Sequence, residues 1–221
     1  MGSFSEYLRP TLLCDFAQAP EIRNVAGRLT GKAVDRRQMF NCINQFVKEI
    51  PYGLEDWDVK ASETLRKGWG MCSGKASLLV AMSRSLEIPA RYRIARIKAE
   101  GTLWKWIAKQ NGELARQVGG PSPEQDHVTA EVYLDGWEVC DPSRDTALER
   151  GLKRLHITRR RELIIGTDNK PQVIILASLD HWAQARQDAR RFKKDRESIF
   201  FSMNKQLDKI RWLGSEHPTS S

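Results

Sequence analysis

The stretch KGWGMCSGKASLLVAMSRSLEIPARYRIARI, which starts at Lys67, constrains the fold more than any other part of the chain. Gly68 and Gly70 flank Trp69 and let the backbone bend sharply before Cys72. From Cys72 onward, Cys72, Ala76, Leu79 and Leu86 fall near one helical face, and Pro89 stops the helix. ARYRIARI then alternates as a strand does. A cysteine at the first turn of a helix sits beside unpaired N–H groups and the positive end of the dipole, and both favour thiolate over thiol. Its own N–H is placed to face an oxyanion, and the glycines leave room for a substrate. On this stretch alone, two readings stand: a nucleophile and a packing cysteine.

Upstream, APEIRNVAGRLTG reads as a short helix with Pro20 in its first turn and Gly31 at its end. DRRQMFNCINQFVKEIPYG is a longer one, with Asp35 as cap and Met39, Ile43, Phe46, Val47 and Ile50 as its buried stripe. Cys42 and Cys14 read as small packing residues. SETLRKG gives a turn or two of helix with Ser62 as cap. Residues 101–125, with two tryptophans, a short helical pattern and a Gly-Pro-rich end, read as an insertion or mobile loop. RELIIG and QVIILAS read as strands joined by TDNKP. From Leu179 to Leu213 the pattern is helical, with a break expected near Asp195–Ser198. Helices first, then mostly antiparallel strands, then a long C-terminal helix make an α+β arrangement. The expectation is a single domain over residues 1–213 and a disordered tail over 214–221.

HVTAEVYLDGWEVCDPS carries the second constellation. Asp135-Gly136 between two apolar runs signals a hairpin, with strands His127–Leu134 and Trp137–Asp141. Its pairing brings the far ends together, so an imidazole and a carboxylate lie side by side. A thiol nucleophile needs a base, and the base needs an orienting group. Asp126 is a rival for the orienting role, although neighbouring side chains on a strand diverge. Glu131 reads as a structural carboxylate, Cys140 as packing on the face away from Asp141, and Lys75 as either thiolate support or a surface charge.

The formal net charge is +8, with much of the excess in RGLKRLHITRRRE and ARRFKKDR. It reads as a solvated basic face or as docking ground for an acidic partner: nucleic acid, an anionic membrane or an acidic carrier protein. No nucleic-acid motif accompanies it, and no nucleic-acid partner is expected. The four cysteines and four histidines show neither metal-ligand spacing nor a disulfide framework, so no metal and no other cofactor is expected. MGSFSEYLRPTLLCDF lacks the basic start and apolar run of a secretory signal, and no run approaches a membrane span; the expected location is the cytoplasm.

Three blocks in order carry a family likeness. GWGMCSGKASLLVAMSRSLEIPARY resembles the nucleophile segment of the transglutaminase-like superfamily, with its Gly-x-Cys helix start, Lys-Ala and Ile-Pro-Ala-Arg exit. HVTAEVYLDGWEVCDPS is similar to the family's histidine strand and to its aspartate before proline. The likeness spans 62–143, with a looser echo in YLRPT and IPYG. It implies a papain-like α+β core, with the nucleophile helix packed on an antiparallel sheet. It also implies a triad: Cys72 as nucleophile, His127 as base and then acid, and Asp141 orienting the imidazole. The family's second oxyanion donor lies upstream of the cysteine, and Trp57 is the candidate. The implied chemistry is acyl transfer through a thioester. Hydrolysis of a peptide or amide bond comes first; transfer to an amine and cyclisation of a carrier-bound acyl thioester are the alternatives. A non-catalytic scaffold is the competing class.

Overall fold

The computed structural model describes residues 4–99, 102–118, 124–157, 161–188 and 196–215. After a 3-10 turn at Phe4–Leu8 come α1 (Pro20–Thr30), α2 (Arg36–Glu49), α3 (Ala61–Lys67) and α4 (Cys72–Ser85). Strand β1 (Ala90–Ala99) leads to α5 (Thr102–Gln110) and α6 (Gly112–Val118). Next are β2 (Glu124–Tyr133), β3 (Trp137–Cys140), α7 (Thr146–Arg154), β4 (Arg161–Leu163) and β5 (Val173–Leu176). Helices α8 (Asp180–Asp188) and α9 (Arg196–Gly214) end the described chain. The sheet is antiparallel throughout, ordered β3-β2-β1-β4, with β5 pairing β1 beside β4.

Helix α4 is the axis of the molecule. Every residue from Cys72 to Ser85 is buried, not one stripe of them. Small side chains (Ser73, Gly74, Ala76, Ser77, Ala81) let α1, α2, α3, β1 and β2 close around it, as a helix surrounded by protein requires. Two of its buried hydroxyls bond back along the helix: Ser83 Oγ donates to Leu79 O, and Ser85 Oγ to Met82 O. Arg84 donates to the carbonyls of Arg9, Ala90 and Ala177, tying three segments together. Lys75 is fully buried and donates to Lys48 O and Ile50 O, closing the C-terminal end of α2. Burial pushes its pKa down to about 8. Its ammonium is thus committed to backbone carbonyls and is not a surface charge.

Asp35 caps α2 as expected, accepting the Gln38 N–H at 2.7 Å. Ser62 does not cap α3. Lys60 holds that position, while the Ser62 N–H and hydroxyl both donate to the buried Asp15. Cys42 also departs from the sequence reading: it is exposed on α2, in an apolar groove with Leu29, Phe46 and Ile50. Cys14 is fully buried, as its sequence context suggests.

The 101–125 stretch holds two helices where the sequence suggested a loop with one. Ile107 and Leu114 pack with Ile199 of α9 in a small separate cluster. Helix α7, read from sequence only as a basic run, is capped by Asp145 through the Leu148 N–H and buries Leu148 and Leu152 against Leu207 and Ile210 of α9. Helices α8 and α9 lie within the expected long C-terminal helix; Arg196–Ser198, where part of the break was expected, are helical, while residues 189–195 and most of the expected tail lie outside the described residues. No described helix is long and apolar enough to cross a membrane.

Candidate active site

The pairing of β2 with β3 sets the geometry. Tyr133 faces Trp137 and Ala130 faces Cys140 across the ladder. Continued one step, that register sets Asp141 opposite Thr129, one diagonal from His127 on the same face. The two side chains meet: His127 Nε2 lies 2.9 Å from Asp141 Oδ2. The other carboxylate oxygen, Oδ1, accepts the Ser143 N–H at 3.0 Å, folding the Asp141-Pro142-Ser143 turn onto itself. Asp141 is thus fixed at both oxygens, although its side chain is 37 % exposed. The His127 ring is buried.

Cys72 reaches the same imidazole. Burial alone would lower the His127 pKa; hydrogen bonds to Asp141 and to the Cys72 sulfur outweigh it and hold the pKa above its ordinary value. With Nε2 turned to Asp141, Nδ1 is the ring nitrogen left for the sulfur. The imidazole of β2 thus meets the carboxylate of the turn after β3 and interacts with the sulfur at the head of α4. Cys72 sits at the first position of α4, after Met71 and the left-handed Gly68 (φ 70°).

The rival residues turn elsewhere. Asp126 points to the opposite face of β2 and pairs with Arg96 at 3.2 Å and with Arg186 of α8. Glu131 accepts from Arg91 at 2.7 Å, whose guanidinium lies 3.8 Å over the Trp137 ring, so its carboxylate is a strand tie. Cys140 is half-buried beside Glu138, and burial followed by the Glu138 and Glu131 charges pushes its thiol up to about 12. Trp57 packs edge to face on Trp182, ring centroids 5.1 Å apart, and against the main core. Among the described residues no group of three or more His, Cys, Asp and Glu is arranged to hold a metal ion.

One residue of the site had no sequence signal. Glu55, buried in the loop before α3, accepts the Met71 N–H at 2.8 Å and pairs with Lys67. Its carboxylate is wedged under the first turn of α4: a Cβ at Gly74 would come within 2.7 Å of Oε1. The partners lie twelve and sixteen positions away along the chain, so no local pattern marks the contact.

The family description "transglutaminase-like superfamily" matches residues 23–142, a span that takes in Cys72, His127 and Asp141. No curated protein matches the chain. Among solved structures, a candidate cysteine protease from Cytophaga hutchinsonii is similar over 67 % of this chain and 45 % of its own, with 23 % identity and a TM-score of 0.47. A candidate protease from Parabacteroides distasonis is similar over 62 % of this chain and 25 % of its own, with 16 % identity and a TM-score of 0.40. The chain thus spans less than half the length of either.

Proposed function

The chain belongs to the transglutaminase-like superfamily, and from that premise we propose that it catalyses acyl transfer through a thioester on Cys72, with water as the acceptor, and so hydrolyses a peptide or amide bond. In this reading the Cys72 thiolate attacks the substrate carbonyl carbon. A C–S bond forms and the carbonyl oxygen takes the negative charge, stabilised by the N–H groups at the start of α4. His127, charged beside the thiolate, then gives its proton to the departing amine. Neutral again, it takes a proton from water, which attacks the thioester and frees the acid and the thiol. Asp141 keeps the ring turned and supports its positive charge.

The observation that carries the reading is the 2.9 Å contact of His127 Nε2 with Asp141 Oδ2, made by an imidazole that also interacts with Cys72 at the first position of α4. A base held by both partners is what a thiolate–imidazolium pair needs.

The test offers fluorogenic peptide amides and carrier-bound acyl thioesters to the wild-type protein and to Cys72→Ala, with intact-mass detection of a Cys72 adduct. Peptide or amide turnover that disappears in Cys72→Ala supports the proposal. An adduct formed only from the carrier-bound thioester would replace hydrolysis with carrier-dependent transfer. No adduct and no turnover with either class would favour a scaffold.

A further inference from the structure

Residues 51–55 lie against the turn that delivers the nucleophile. Gly53 N donates to Gly70 O at 3.1 Å and Gly70 N to Pro51 O at 3.0 Å, a parallel bridge between Tyr52 and Gly70. Glu55 adds the bond to the Met71 N–H, the last amide before Cys72. In an extended strip, backbone groups of alternate residues point to opposite sides. Here the other side belongs to α9. Arg211 donates to Tyr52 O at 2.8 Å. The Asn204 carboxamide takes both backbone groups of Leu54, accepting its N–H at 2.7 Å and donating to its carbonyl at 3.0 Å. Arg196 pairs with Asp56 at 2.8 Å. Tyr52, Leu54 and Asp56 are thus held by α9, and Gly53 and Glu55 hold the nucleophile turn.

Asn204 is the centre of this clamp. Its side chain does for Leu54 what a neighbouring strand would do, although it comes from a helix that lies outside the span matched to the superfamily. The space on the far side is tight: a Cβ at Gly70 would approach Thr64 Cγ2 to 2.9 Å and Glu55 Oε1 to 3.2 Å, and a Cβ at Gly53 would approach the Trp69 ring to 2.7 Å. A shift of the strip is therefore passed on to Met71 and Cys72, not absorbed by voids.

We infer that α9 is a working part of the active site and that Asn204 is a positioning residue: through Leu54 and Glu55 it sets the backbone at Met71–Cys72 and so the amide that meets the oxyanion. The inference rests on the proposed acyl-transfer function. Two reactions of the same sulfur separate it from ordinary stabilisation. Alkylation by iodoacetamide forms the C–S bond and expels iodide with no oxyanion. Acylation by p-nitrophenyl acetate forms the C–S bond through a tetrahedral oxyanion and expels p-nitrophenolate. Only the second needs a well-placed amide.

The experiment measures both rates across pH on the full chain for wild type, Asn204→Ala and Cys72→Ala, with thermal unfolding of each. Asn204→Ala is expected to lower acylation about tenfold or more while alkylation and its pH midpoint stay within about twofold. Acylation unchanged in a folded Asn204→Ala, or both rates falling together, overturns the inference. If Asn204→Ala does not fold, Asn204→Asp replaces it in the same pair of rate measurements. Aspartate keeps the acceptor for the Leu54 N–H and loses the donor to its carbonyl, so slower acylation at an unchanged alkylation rate again supports the inference, and any other pattern overturns it. If Cys72→Ala keeps the wild-type rate of p-nitrophenolate release, the proposed function falls first, and the role of Asn204 falls with it.

Discussion

His127 and Asp141 meet through Nε2 and Oδ2 at 2.9 Å, and Asp141 is itself pinned by the Ser143 N–H on its other oxygen. The pair lies one diagonal step apart on the β2–β3 hairpin, so the orientation of the ring is built into strand register. A carboxylate at Nε2 holds the proton on that nitrogen and leaves the Nδ1 lone pair for the thiol.

Asp141→Asn tests that assignment. Asparagine keeps an oxygen for the Ser143 N–H, so the turn should survive. Its amide then faces Nε2 as a donor, which moves the ring proton to Nδ1, the wrong nitrogen for a base. The acylation rate of Cys72 should fall by about 10²-fold or more, with a thermal midpoint close to wild type. Burst kinetics with a chromogenic ester measure the first, and a thermal scan the second. A variant of wild-type activity would remove Asp141 from the mechanism.

The raised pKa of His127 also has a consequence for stability. Burial opposes the charged ring, but hydrogen bonds to Asp141 and Cys72 prevail, so the folded protein binds the proton more tightly than the unfolded chain does. The resulting stabilisation is complete below the unfolded value near 6.5 and is lost as pH rises through the higher folded value. Urea unfolding of wild type and His127→Gln between pH 5.5 and 8.5 should show a stability difference that shrinks with rising pH. A difference that grows over this interval would contradict these contacts of the ring.

The cysteines should label in a defined order. Burial pushes Cys14 up to about 11, and Cys140 up to about 12, so neither carries much thiolate near neutrality. Cys42 is exposed but lies far along α2 from its N-terminus, without the support Cys72 has from a helix start and an imidazole. Peptide mapping after brief iodoacetamide treatment at pH 6.5 should show Cys72 labelled about tenfold faster than Cys42, with Cys14 and Cys140 labelled only after unfolding. Equal rates at Cys72 and Cys42 across pH would remove the basis for a special thiol.

Cys72 and Asp141 stand out in the sequence because each sits at a punctuation mark, a Gly-rich helix start and a Pro-ended hairpin; His127 reads as the opening of a strand, whereas β2 begins three residues earlier, at Glu124. Alternation and caps likewise exposed β1, the hairpin and α2. The burial of α4 on all sides was not readable, because Ser and Gly look solvent-tolerant until several elements close on them. Helix α7 had a signal, Asp145 as cap with Leu148 and Leu152 four apart, but its basic residues drew the reading toward surface charge. Glu55 and Asn204 had none. Their contacts join residues far apart in sequence, and side chains that hold backbone leave no periodicity.

Gly151 shows the same point in a form that a single substitution can check. In sequence it looks like a weak spot in a helix, where alanine should be better by about 1 kcal/mol. In the fold, α7 and α9 cross with glycine against backbone on both sides: a Cβ on Gly151 would overlap the Ile210 carbonyl oxygen and come within 2.7 Å of its carbon, and one on Gly214 would overlap the Ala147 carbonyl oxygen. Neither obstacle is a side-chain tip that can swing away. Gly151→Ala must push α9 outward, at a cost of roughly 1–3 kcal/mol that offsets or exceeds the helix-propensity gain. It also strains the Arg211–Asp145 ion pair next to the crossing, whose guanidinium and carboxylate lie 3.1 Å apart. The expected result is a lower urea midpoint together with slower acylation of Cys72, since α9 carries Asn204. A stabilised Gly151→Ala, as a solvent-facing glycine would give, would mean that α9 does not pack this closely on α7.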